Sequence, residues 1–164
     1  MLSRFNLRFL TLFLLFFICS FSFAQHYDFS EVWINNDKHY TGTIDTDTGI
    51  KVVFKVVKQS RENKNLYYVS GYSTVRNNTS SYKGIFSVTN QTLKNSVLTV
   101  TGDYLFTEEG SGKHTGKFSG KFKSIISSAC ENLLTDSHQT EFTGNWKNSD
   151  GTLDFKTNWK NIIP

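Results

Sequence analysis

Four times along this chain an aromatic residue, a glycine and a bulky apolar residue fall on alternate positions: Tyr40, Gly42 and Ile44; Tyr82, Gly84 and Phe86; Phe118, Gly120 and Phe122; Phe142, Gly144 and Trp146. A period of two puts each triplet on one face of an extended strand. Glycine is a poor strand residue on entropy grounds, so its return at one offset asks for a structural reason. A closed barrel supplies one: inward positions alternate small with large to fill a tapering interior, and glycine lets strands bend sharply. The competing reading is chance combined with local bulges.

The same alternation extends along most of the chain. Phe118 and Phe122 share a face against Lys117, Lys121 and Lys123, and Leu153, Phe155, Thr157 and Trp159 alternate with Asp154, Lys156 and Asn158. Counting such segments gives about eight strands, at 38–46, 50–59, 65–76, 80–88, 95–107, 113–125, 139–147 and 151–160. Asp47-Thr48-Gly49, Asn77-Asn78, Gly110-Ser111-Gly112 and Asp150-Gly151 punctuate them with residues that accept positive φ. Short loops between sequential strands imply an antiparallel meander. The fold class expected is therefore all-β, an antiparallel up-and-down barrel. Between 124 and 139 the alternation lapses. Ser128 and Glu131 have capping-box spacing ahead of Leu133-Leu134, which predicts a short helical insert near 128–135, placed to cover a barrel end.

The N-terminal residues have a different character. Arg4 and Arg8 form a short basic stretch ahead of an apolar run over 9–18, too short to span a bilayer comfortably, and Ser22-Phe23-Ala24 offers small residues at −3 and −1 of a cut before Gln25. The expectation is a cleavable signal peptide over 1–24 and a single barrel domain over 25–164, with no transmembrane segment after cleavage. An uncleaved anchor helix is the competing reading. Lipid attachment at Cys19 is disfavoured because Phe17 and Ile18 stand where a small residue is needed. Export implies a secreted or periplasmic location. Cys130 alone survives cleavage, so no internal disulfide can staple the domain. Sixteen basic and fourteen acidic residues remain after cleavage, a balance of +2, and neither nucleic acid nor a membrane surface is favoured as partner.

Trp33 ahead of the first strand, the eight-strand meander and the segment Phe142-Thr143-Gly144-Asn145-Trp146 resemble the calycin group, barrels of the lipocalin and avidin type. The resemblance implies the barrel architecture and an internal cavity.

Motifs for chemistry are few. The histidines stand apart at 26, 39, 114 and 138, without metal-ligand spacing, and no cofactor motif occurs. Asp45, Asp47 and Gly49 open like a calcium loop, but Val56 stands where the bidentate Glu belongs, so a hairpin turn is the better reading. Glu108, Glu109, Lys113 and His114 around Gly-Ser-Gly read as a solvated hairpin tip. Lys113, Lys117, Lys121 and Lys123 read as a solvated outer face. If the barrel holds a cavity, Tyr68, Tyr72, Phe118, Phe122, Phe142, Trp146, Phe155 and Trp159 are the expected lining, and an apolar pocket with a few hydroxyls is the usual small-molecule site. An interior packed solid is the alternative. The functional expectation is a secreted, non-enzymatic protein binding a small apolar ligand. The alternative is a cell-envelope structural or interaction module working through its outer faces. An enzyme using the barrel as scaffold is a third reading.

Overall fold

The computed structural model describes residues 27–112, 114–127 and 138–161. The leader expected over 1–24, Lys113, Cys130 and the helical insert expected near 128–135 lie outside them. A short helix α1 (Ser30–Ile34) runs into a 3-10 turn (Asn35–Asp37). Eight strands follow: β1 (Tyr40–Ile44), β2 (Thr48–Gln59), β3 (Leu66–Val75), β4 (Asn78–Lys94), β5 (Val97–Glu108), β6 (Gly116–Ser127), β7 (His138–Asn148) and β8 (Asp154–Lys160). Each pairs antiparallel with the next, and β1 pairs with β8 from Thr41↔Lys160 to Ile44↔Thr157, closing the barrel. The first and last strands are thereby each paired on both sides.

Turn chemistry fixes the connections: Gly110, Gly112 and Gly151 take positive φ where expected, while two earlier turns are displaced by a residue or two. The β1–β2 turn takes its positive φ at Asp45 and the β3–β4 turn at Arg76. β4 runs on to Lys94, six residues beyond the expected end, past a register shift between Val88 and Asn90. Asn95 and Ser96, both at positive φ, then make a two-residue hairpin turn whose twist suits the flanking strands.

The interior is aromatic and packed. Phe54, Phe86 and Phe142 meet across its middle with ring centroids 5.3–5.7 Å apart, and Phe106, Phe122 and Trp159 pack around them. At every glycine of the repeat, and at Gly102, a Cβ would run into a carbonyl oxygen of the neighbouring strand, so the glycines let the strands approach closely. A Cβ on Gly84 would stand 2.8 Å from the Phe106 ring, and one on Gly102 would stand 2.6 Å from the Phe122 ring. Each missing side chain makes room for the ring of a directly paired residue on the next strand. The glycines thus bring neighbouring strands together, with room for rings at Gly84 and Gly102, instead of hollowing the centre, and of the two alternatives the middle of the barrel takes the packed one. The outer face carries Lys51, Lys55, Lys117, Lys121 and Lys123, all exposed. That polarity is the reverse of a membrane-spanning barrel, which faces lipid with an apolar band. Among the described residues no helix is long and apolar enough to cross a membrane.

Candidate functional site

The two barrel ends differ. One is shut by α1, which at five residues is too short to be stable alone and is held by burial of Val32 and Trp33. Trp33 is fully buried and packs on Tyr67, Phe86 and Phe122 at centroid distances of 4.8, 4.7 and 5.2 Å. Its indole N–H donates to Ser124 Oγ (2.9 Å), which also meets Thr140 Oγ1 (2.9 Å), and its carbonyl accepts from the Tyr40 hydroxyl (3.0 Å). The Tyr67 hydroxyl ties the approach to the helix, donating to the Tyr27 carbonyl and accepting from Phe29 N–H and Gln59 Nε2.

The other end, where β1 turns into β2, β3 into β4, β5 into β6 and β7 into β8, opens on a cleft of about 340 Å³. Its apolar walls are Ile44, Val75, Phe118, Trp146, Leu153 and Phe155. Trp146 and Phe155 stack with planes 8° apart and centroids 5.9 Å apart. Asp45, Arg76, Asn78 and His114, all exposed, form part of the rim. Deeper lie Ser73 and Glu108, both buried.

Glu108 is only 7% exposed, and among the described residues no other carboxylate, lysine or arginine is buried. Its Oε2 accepts from the Trp146 indole N–H (2.8 Å) and from Gly116 N–H (2.9 Å), and its Oε1 accepts from Ser73 Oγ (3.3 Å). All three donors are neutral. The carboxylate thereby fixes the ends of β3, β5, β6 and β7 relative to one another.

The residues expected to line a cavity divide into three groups. Phe118, Trp146 and Phe155 line the cleft. Phe122, Phe142 and Trp159 point inward but lie in the packed interior beneath it. Tyr68 and Tyr72 face outward, Tyr68 at 55% exposure and Tyr72 half-buried, which corrects their expected inward direction. The inward set on β3 is Tyr67, Val69, Gly71 and Ser73, one position out of step. Glu108 departs from its expected place at a solvated hairpin tip. It follows Tyr104 and Phe106 at a spacing of two on β5, so it turns inward with them. Glu109, the next residue, does face solvent and pairs with Lys83 at 2.6 Å. Lys121 likewise pairs outside with Asp103 at 3.0 Å.

Between cleft and core the inward polar atoms lack partners. Tyr104 Oη, Thr157 Oγ1 and Trp159 Nε1 are buried without a hydrogen bond. Burial pushes the Tyr104 hydroxyl up to about 12, offset in part by the neighbouring Thr157 hydroxyl. Among the described residues no group of His, Cys, Asp and Glu converges as a metal site. The arrangement can bind: apolar walls, a rim of mixed charge and one buried anion at depth. Compared with known protein families, with curated proteins and with solved structures, the chain matches none.

Proposed function

We propose that this chain is an exported, non-enzymatic binding protein that takes up a small, largely apolar ligand at the open end of its barrel. The observation that carries the reading is the cleft itself. It lies within the size range of small-molecule sites and combines mostly apolar walls with a few fixed polar groups. The likeness to calycin barrels supports a site at the mouth, above the packed middle. The apolar run over 9–18 and Ser22-Phe23-Ala24 support export, with the mature chain beginning at Gln25 in the periplasm or outside the cell.

The test is titration of the mature chain with N-phenyl-1-naphthylamine, a neutral apolar fluorophore. Saturable binding at one site is expected, with a melting temperature that rises with probe concentration. Phe155→Ala, at a half-buried wall position, should weaken binding roughly tenfold by removing part of the apolar wall. Lys117→Ala, on the outer face, should leave it unchanged. Absence of saturable binding, or equal losses from both variants, would remove the cleft as the site.

One observation favours the second reading, an envelope module using its outer face. Tyr68, Ile85 and Leu105 are directly paired across β3, β4 and β5, and Tyr68 and Leu105 are 55% and 43% exposed. Charged substitution at both ends of that row, Tyr68→Glu with Leu105→Glu, should abolish envelope association under this reading and leave probe binding intact.

A further inference from the structure

We infer that the ligand of the open end carries a protonated amine and that Glu108 is its counter-charge; this deepens the binding reading above and rests on it. Burying a carboxylate is costly unless a positive partner offsets it, and neutral hydrogen bonds offset only part of the cost. Among the described residues its partners here are an indole N–H, a backbone N–H and a serine hydroxyl. Arg76 and His114 also line the cleft, but they are exposed and neither is paired with Glu108.

A structural tether does not need the charge. Elsewhere in this barrel neutral amides do the same work. Asn161 accepts from Thr140 N–H at 2.7 Å, and Asn148 accepts from Leu153 N–H at 2.9 Å. Among the described residues, only at the cleft is a backbone N–H held by a buried carboxylate. A carboxylate offers about four acceptor positions, and three are taken, two on Oε2 and one on Oε1. One acceptor position on Oε1 remains at a residue that lines the cleft, enough for one N–H donor of an ammonium group. The aromatic side chains around it also suit a cation, whose attraction to ring faces adds to the ionic hydrogen bond. The same surroundings disfavour an anion, which would meet Glu108 as a like charge in a partly dehydrated site.

Three compounds with one skeleton test this on the mature chain: 4-phenylbutylamine, 4-phenylbutan-1-ol and 4-phenylbutyrate, followed by calorimetry and by thermal shift. The amine should bind at least about tenfold more tightly than the alcohol, as a hydrogen bond to a charged group allows, and the carboxylate should bind most weakly. Glu108→Gln should erase the preference for the amine, bringing its affinity to within about twofold of the alcohol's in the same variant. Should that variant not fold, the order of affinities in the unaltered protein decides the matter, and Trp146→Phe, which keeps the charge and frees an acceptor, should retain the preference. An amine that binds no better than the alcohol overturns the inference but leaves the cleft as a binding site. So does a carboxylate that binds best, which would assign selectivity to Arg76 and His114, or an amine preference that survives Glu108→Gln. Failure of all three compounds to bind the unaltered protein overturns the binding reading as well.

Discussion

At the end of the barrel shut by α1, the buried polar groups of the plug are tied to the wall: the Trp33 indole to Ser124, Ser124 to Thr140, Thr140 N–H to Asn161, and Asn161 onward to the His138 carbonyl. At the opposite end the rings give way to a cleft holding a charge with neutral partners, above three inward polar atoms with none. Both ends are built from the same eight strands. The contrast shows that closing a small barrel takes hydrogen-bond partners for what the plug buries as well as ring surface to fill the space.

The comparison breaks most visibly at the plug. Trp33→Ala should cost about 3–5 kcal/mol, because a fully buried ring is lost and the surrounding rings close the gap only in part. Urea unfolding measures it, and a cost below that of Phe155→Ala would mean the sealed end contributes less stability than the open one. Alkaline pH acts on both regions through the buried tyrosines. Burial pushes the Tyr67 and Tyr104 hydroxyls up to about 12, and it raises those of Tyr40 and Tyr82 further. Above pH 10 the unfolded chain releases these protons while the folded protein keeps them, so stability falls as pH rises from about 10 to about 12. Tyr67 and Tyr104 should each account for roughly 2–3 kcal/mol of that loss. A stability plateau through this window would contradict the burial described. Removing single hydroxyls separates the two environments. Tyr67→Phe, which orphans the buried Phe29 N–H, should cost about 1 kcal/mol, whereas Tyr104→Phe removes an oxygen with no partner and should be neutral or stabilising. If both cost the same, Tyr104 has a partner in solution. The smallest effect belongs to the outer face: Lys121→Ala breaks an exposed pair with Asp103 and should change stability by less than about 0.5 kcal/mol.

The barrel was legible where aromatic and charged residues strictly alternate. On β6 and β7, Phe118, Phe122, Phe142 and Trp146 point inward as their spacing requires, since lysines on β6 and Glu141, Thr143 and Asn145 on β7 hold the other parity. On β3 both parities carry tyrosine, at 67, 68 and 72, and hydrophobicity alone gives no direction. Gly71 is the discriminating residue. A Cβ there would stand 2.8 Å from the Tyr82 hydroxyl, which donates to the Val53 carbonyl, so its parity is the inward one and carries Tyr67 with it. Helix α1 left no periodic signal because five residues do not complete two turns, and its conformation follows from burying Val32 and Trp33. Glu108 escaped notice for a different reason. A charged residue beside Gly-Ser-Gly reads as a loop, and only its step of two from Phe106 shows that the strand continues through it.

Trp33 occupies the closed end, and that has a spectroscopic consequence when set beside the other two indoles of the chain. Trp159 lies midway, against Tyr104, Phe118 and Phe142, while Trp146 lines the cleft. The three tryptophans of the chain therefore sample three depths along one axis. Proteins that retain one indole each, with phenylalanine at the other two positions, would report separately on plug, core and mouth. An added compound that entered at the mouth would change the emission of Trp146 most, that of Trp159 less and that of Trp33 least, so the intrinsic fluorescence of this protein is a built-in depth gauge for whatever it takes up.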